Sequence, residues 1–136
     1  MNRQRTHTLG KTERLKSRKL IDQLFKQGRS FALPPFRIML MDVAAADEAL
    51  KVAFSVSTRF FKKAVDRNRI RRLMRESWRV QKGTLQEQLN IRNKQIVVFI
   101  IYTDKALPQY QLIHEKMGVV IKRIVKTTNE KTAADT

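Results

Sequence analysis

Residues 54–79 read FSVSTRFFKKAVDRNRIRRLMRESWR, and this segment is the most informative part of the sequence. It begins with the end of an alternating strand, passes through a short basic loop, and enters a long helix predicted from about Asp66 to Gln81. With about 3.6 residues per turn, one side of that helix is apolar around Ile70. The opposite side carries a row made of Asn68, Arg72, Arg75 and Arg79, flanked by Arg67 and Arg71. One face is therefore predicted to enter a core while the other presents guanidinium groups.

Further helices and strands are predicted before and after this segment. Helices are expected from about Ser17 to Gln27 and from about Tyr110 to Lys126, and strands are expected at residues 36–42, 51–57 and 96–102. The last of these strands is continuously apolar, which is typical of a central strand buried on both faces. A short further strand near residues 30–33 is left open, and residues 82–94 are interpreted as a polar connection. The order predicts an α+β fold with a small mixed sheet and three helices.

The domain organisation follows from composition along the chain. Residues 13–126 are predicted to form a single α+β domain. Residues 1–12 are polar and basic without periodicity, so we expect a flexible basic arm there. Residues 127–136 are predicted to be a disordered tail.

The charge of the chain is large and unevenly distributed. Lys and Arg number 29 against 12 Asp and Glu, giving a net charge of +17. Ten basic and two acidic residues fall in residues 58–82, and nine basic and two acidic residues fall in residues 1–30, whereas residues 31–57 carry two basic and three acidic residues. Such an excess repels itself unless a polyanion compensates it. Clustering of this kind indicates a surface that binds nucleic-acid phosphates.

Several classes of function are excluded by what the sequence lacks. There is no Cys, so disulfides and thiolate metal sites are absent, and His7 and His114 have no neighbours that suggest a catalytic set. We therefore predict no catalytic residues and no metal site on the protein. No apolar run approaches the roughly 20 residues of a spanning helix. The N-terminus lacks an apolar signal core, so we expect no membrane partner and a cytoplasmic location.

The same segment carries a specific resemblance. An FSVS strand end, a basic loop, Ala64-Val65 and then the run RNRIRRLMRE at residues 67–76 resemble the signature of the bacterial ribonuclease P protein family. Phe25 followed by KQG at residues 26–28 is similar to that family's opening helix. The resemblance covers roughly residues 12–126.

The resemblance implies a fold, partners and a main site. The fold would be like the second domain of ribosomal protein S5, with a left-handed βαβ crossover, against the usual right-handed rule. The protein would act as the accessory subunit of an endonuclease, a monomer bound 1:1 to ribonuclease P RNA, which uses magnesium ions to remove the 5′ leader of precursor tRNA. Neither a small-molecule substrate nor a tightly protein-bound cofactor is implied. The residues expected to contact the RNA are Arg67, Asn68, Arg69, Arg71, Arg72, Arg75, Arg79, Lys62 and Lys63.

The family also has a cleft for the single-stranded leader between its first helix and its sheet. The matching positions here are Ile21, Phe25, Arg37 and Met39. Ile21 and Met39 depart from the aromatic residues often found in relatives, which weakens the case for base stacking but not for leader binding.

Some interpretations stay open at this point. Phe25 lies on the apolar stripe of its helix, so it belongs either to the core or to the leader cleft. At least one of Phe60 and Phe61 is a candidate to face RNA, whereas Phe54 and Trp78 are expected to pack. Asn68 either caps the helix or contacts RNA. A ribosomal or other RNA-binding protein and a DNA-binding protein are the alternative functions.

Overall fold

The computed structural model describes residues 13–44 and 48–135. In chain order the elements of these residues are α1 (Arg18–Gln27), β1 (Arg29–Leu33), β2 (Phe36–Asp42), β3 (Leu50–Val56), α2 (Ala64–Gln81), α3 (Gly83–Ile91), β4 (Ile96–Tyr102) and α4 (Tyr110–Asp135). The predicted α+β class is confirmed, and the optional first strand exists as β1. The predicted basic arm, residues 1–12, lies outside the described residues.

The four strands form one mixed sheet in the order β1-β2-β4-β3. The pairs β1–β2 and β2–β4 are antiparallel, and β1 reaches β2 through a turn at Pro34-Pro35. The pair β3–β4 is parallel, with Val52 opposite Val98. Parallel neighbours need a long crossover, and here α2 and α3 supply it. The left-handedness of this crossover stays a prediction from the resemblance.

The main core lies on the face of the sheet that α2, α3 and α4 cover. Alternation along β2 sends Phe36, Ile38 and Leu40 into it, each no more than 1% exposed. The helices contribute buried side chains at helical spacing, among them Ile70, Met74, Trp78, Leu85, Leu89, Ile113 and Met117. This core fixes the orientation of α2, because its buried side cannot turn without exposing these groups.

Helix α1 covers only part of the opposite face. It begins after Ser17, whose hydroxyl accepts a hydrogen bond from the backbone N–H of Leu20 at 3.2 Å. Its Leu24 is fully buried with Met39 and Val97 in a second, smaller cluster. The rest of this face has no helix over it among the described residues.

Two predictions about local structure are wrong. Residues 82–94 are not a simple polar connection, because α3 forms there and buries Leu85 and Leu89, four residues apart on one side. The structure therefore has four helices rather than three within the described residues. Helix α3 ends where Asn93 adopts a left-handed conformation with φ of 55°.

The predicted disordered tail is also wrong for residues 127–135, because α4 continues to Asp135. No Pro or Gly interrupts the sequence after Gly118. Thr128 is only 3% exposed, and its hydroxyl donates to the carbonyl oxygen of Ile124 at 2.8 Å. Burial of this turn lets the helix extend past Lys126.

Candidate nucleic-acid interface

Helix α2 has one buried and one exposed side, as the sequence predicts. Ile70, Met74 and Trp78 are each 0% exposed, and the packing prediction for Trp78 is confirmed. The exposed residues on the other side are Asn68, Arg69, Arg72, Arg75 and Glu76. A single acidic side chain among these residues leaves the exposed side strongly positive.

Arg67 performs a structural role at the start of this helix. Its Nη1 donates hydrogen bonds of 2.9 Å to the carbonyl oxygens of Phe61 and Lys62. These bonds fold the basic loop back onto α2, with Lys62 and Lys63 both exposed. The two aromatic residues of the loop have different environments. Phe61 is 6% exposed and joins the main core. Phe60 is 42% exposed, and the guanidinium carbon of Arg59 lies 5.8 Å from the centroid of its ring.

Two other predicted RNA-contacting residues have partners on the helix itself. Asn68 does not cap α2, which begins at Ala64; its Oδ1 accepts a hydrogen bond from Arg71. Arg79 forms an ion pair with Glu76 at 2.6 Å. The hydrogen bond from Arg79 lowers the pKa of the Glu76 carboxyl. The charge of Arg79 is therefore partly compensated within the protein.

The other cations on this side crowd together. Partial burial lowers the pKa of Arg75, and the positive charges of Arg14, Arg71 and Arg72 lower it further. We call Arg71, Arg72 and Arg75, which all stand on α2, the guanidinium cluster. Among the described residues, neither these three nor Arg14 forms an ion pair with a carboxylate. Bound phosphates would relieve the repulsion between these cations.

Arg14 was not among the predicted site residues. It reaches the cluster because it forms a parallel bridge with Val52 on the edge strand β3. It stands in a basic stretch of the sequence, but no local pattern identifies β3 as its neighbour.

A second candidate surface lies beside α1. Strand register aligns four residues across the sheet, one from each strand: Ala32, Arg37, Ile101 and Ser55. Ala32 and Arg37 are exposed, and Ile101 and Ser55 are half-buried. Phe25 is 54% exposed next to this row and contacts Phe99. We call Phe25, Arg37, Phe99 and Ile101 the open sheet face.

The predicted leader-cleft residues are only partly accessible. Phe25 and Arg37 are exposed, and Arg37 donates to the hydroxyl of Ser30 at 3.3 Å. Ile21 is half-buried, and Met39 is 6% exposed beneath α1. Met39 thus forms the base on which α1 rests and has little surface for a ligand.

The prediction that the last strand is buried on both faces is wrong at Phe99 and Ile101, since α1 leaves both partly uncovered.

The polar groups away from these surfaces hold helices together. The side-chain amide of Gln81 donates to the carbonyl oxygens of Ser77 and His114, at 3.1 and 3.0 Å, and so links α2 to α4. The ring of His114 lies 5.6 Å from that of Tyr110. Among the residues described, no three His, Asp or Glu side chains form a group suited to a metal ion. Within that same part of the chain, every helix is too short or too polar to span a bilayer.

Comparison with known proteins gives one consistent family. The sequence model described as Ribonuclease P matches residues 9–125. A Porphyromonas gingivalis protein named Ribonuclease P protein component is 31% identical over 122 residues, covering 88% of each chain. A Chlorobium phaeobacteroides protein of the same name is 30% identical over 129 residues, covering 87% of this chain and 88% of the relative.

Solved structures share the fold. The RNase P protein of Staphylococcus aureus superposes with a TM-score of 0.66 at 22% identity, covering 82% of this chain and 94% of that one. The RNase P protein of Thermotoga maritima gives a TM-score of 0.66 at 24% identity, covering 82% of this chain and 96% of that one. At these identities the superpositions establish a common architecture.

Proposed function

The chain belongs to the bacterial ribonuclease P protein family, and we propose that it binds the catalytic RNA through the guanidinium cluster and the precursor tRNA leader through the open sheet face. The observation that carries this proposal is the pairing of two chemically different surfaces on one small domain. One surface is dense in guanidinium groups, and the other combines aromatic and aliphatic side chains with one Arg.

The guanidinium cluster suits the phosphates of a folded RNA. Each guanidinium offers a planar set of donors that can grip a phosphate with two hydrogen bonds. The groups project from a helix whose far side is fixed in the main core, so they are held in place before RNA arrives. Arg69 is exposed on the same side of α2 and extends the surface. Arg67 would support binding indirectly, by folding the loop that carries Lys62 and Lys63.

The open sheet face suits a single strand of RNA. Unpaired bases stack on aromatic rings, and a cation nearby holds the backbone. Phe25 supplies the accessible ring, Phe99 supports it from the sheet, and Arg37 supplies the charge. The row of residues across all four strands gives an extended chain a surface that crosses the whole sheet.

We assign cleavage of the phosphodiester bond to the RNA, with magnesium ions held mainly by the RNA. The magnesium ions would supply charge stabilisation and an activated water there. This chain's own residues would bind and orient the two RNAs. The proposal includes a protein monomer in a 1:1 complex with the RNA and a cytoplasmic location.

The decisive experiment measures cleavage of precursor tRNA by ribonuclease P RNA at low magnesium, with and without this protein. We expect correct 5′ ends only when both components are present. The double variant Arg72→Ala/Arg75→Ala should lose this stimulation, and Arg92→Ala, an exposed cation at the end of α3, should keep it. If the folded protein gave no stimulation of an RNA that is active alone at high magnesium, the proposal would be wrong.

A further inference from the structure

The end of helix α2 contains a buried charge that the proposed function leaves unexplained. Lys82 follows the last residue of α2 and is only 2% exposed. Lysine is almost never buried to this extent unless its ammonium group has a partner. The partner here is Glu13, whose carboxylate forms an ion pair with the Lys82 ammonium from 69 positions away in the sequence. A residue before the first helix is thereby joined to the end of α2.

The two residues after Glu13 are attached independently. Arg14 forms the parallel bridge with Val52, and the backbone N–H of Leu15 donates to the Val52 carbonyl oxygen at 2.9 Å. Leu15 is 4% exposed and packs in the smaller cluster under α1. Three consecutive residues are thus held by an ion pair, a strand bridge and apolar burial. Of the three, only Arg14 has an exposed side chain.

Arg14 carries a positive charge close enough to Arg75 to lower the pKa of that guanidinium, as Arg71 and Arg72 also do. An attachment that serves stability alone gains nothing from a cation at this point, because like charges repel at short range. The cost becomes a gain when phosphates bind, since each added cation then makes another contact.

We propose that Arg14 is a further phosphate-binding residue of the RNA surface and that the Glu13–Lys82 ion pair is the device that positions it. This inference rests on the proposed function of the guanidinium cluster. Lys82 itself is too buried to touch RNA, so it acts through the segment that it holds. The ion pair and the bridge to β3 together place Arg14 beside α2 before RNA binds.

The experiment is a double-mutant cycle in the full-length protein, with affinity for ribonuclease P RNA as the readout. Arg14→Ala should weaken binding about tenfold in the otherwise native protein, the loss expected for one charge-assisted contact. Lys82→Met should weaken binding by a similar factor. In the Lys82→Met background, Arg14→Ala should then cost less than about twofold, because Arg14 is no longer held in position. A purely structural ion pair would leave the cost of Arg14→Ala unchanged.

Hydrogen exchange of the Leu15 amide gives a second readout. Lys82→Met should speed its exchange while the amides of β4 keep their protection. If Lys82→Met does not fold, the same cycle is run with Glu13→Gln. An equal effect of Arg14→Ala in both backgrounds overturns the positioning role.

Comparison with Arg72→Ala and Arg92→Ala shows whether the inference alone is wrong or the proposed function as well. If Arg72→Ala weakens binding and Arg14→Ala matches the neutral control Arg92→Ala, the inference alone is wrong. If Arg14→Ala and Arg72→Ala both leave binding unchanged, the proposed RNA site fails, and the inference fails with it.

Discussion

The ring of Phe25 meets the ring of Phe99 edge-on, with centroids 5.3 Å apart and an interplanar angle of 79°. Phe25 stands on α1 and Phe99 on β4, so the contact joins the helix to the sheet. Phe25 is nonetheless 54% exposed. The two interpretations of Phe25 are therefore compatible, because one edge of the ring packs while much of its surface stays accessible.

Replacing Phe25 with Ala should weaken binding of the precursor tRNA leader. One stacked base is worth about 1–3 kcal/mol, and this contact is lost with the ring. The measurement compares the affinity of the RNA–protein complex for precursor tRNA with its affinity for leaderless tRNA. Leu107→Ala, which changes a side chain that is 55% exposed away from this face, is the control. Equal losses for both tRNAs would contradict the assignment.

Replacing Arg67 with Ala should lower stability, in contrast to replacing Arg72. Loss of the guanidinium removes the donor to the carbonyl oxygens of Phe61 and Lys62. We expect the free energy of unfolding to fall by about 1–3 kcal/mol. Arg72→Ala should leave that free energy within about 0.5 kcal/mol of the native value, since Arg72 is exposed. Urea unfolding of the three proteins tests this, and equal stabilities for the two variants would be evidence against the structural role.

Two glycines should respond to Ala in opposite directions. A Cβ at Gly28 would lie 2.5 Å from the carbonyl oxygen of Leu24 and 3.2 Å from that of Leu40, so Gly28→Ala should destabilise by about 1–3 kcal/mol. A Cβ at Gly83 meets nothing within 4 Å, and neither glycine has a positive φ. Gly83→Ala should stabilise α3 by about 0.4–1 kcal/mol. Thermal or urea unfolding measures both, and a shift of the same sign in the two variants would refute the steric argument.

Stability should fall in alkaline solution because of Tyr102. Burial, followed by the charge of Asp104, raises the pKa of Tyr102 to about 12, and its hydroxyl donates to the Ala106 carbonyl oxygen at 2.6 Å. The neutral phenol is favoured in the folded state, so its contribution is complete below the ordinary pKa of 10.0 and is lost as the pH rises towards about 12. Tyr102→Phe should show a smaller fall over that range. An absorbance titration of Tyr110→Phe, which leaves Tyr102 as the remaining tyrosine, checks the pKa directly.

The sequence predicts most of the helices and strands, because the residues that they bury are apolar and recur at the regular spacing of a helix or a strand. The strands at residues 36–42 and 96–102 are found at the predicted bounds. The sequence does not predict helix α3, because most residues of this segment are polar. One pair of apolar residues, Leu85 and Leu89, is too weak a sign of helical periodicity. The length of α4 was missed because charged and small residues after Lys126 resemble a tail, and the burial of Thr128 is a tertiary effect.

The residues of the candidate site likewise include some that the sequence predicts and some that it does not. Arg69 enters only through the family resemblance, whereas the exposed positions of Arg72 and Arg75 on α2 follow from helical geometry and are predicted from sequence alone. The position of Arg14 is not, because its neighbourhood depends on a bridge to a strand far along the chain. Phe99 is hidden in a continuous apolar run, which does not reveal how far a neighbouring helix covers a sheet.

The crossover between β3 and β4 links the order of folding to the ability to bind RNA. The β1–β2 hairpin can close locally, whereas β3 and β4 pair only after the whole segment carrying α2 and α3 has been brought back to the sheet. The cationic helix lies inside this loop, and its like charges oppose closure of the loop. Polyanions that bind the finished helix stabilise the closed state, so an RNA partner would also act as a folding ligand for this chain.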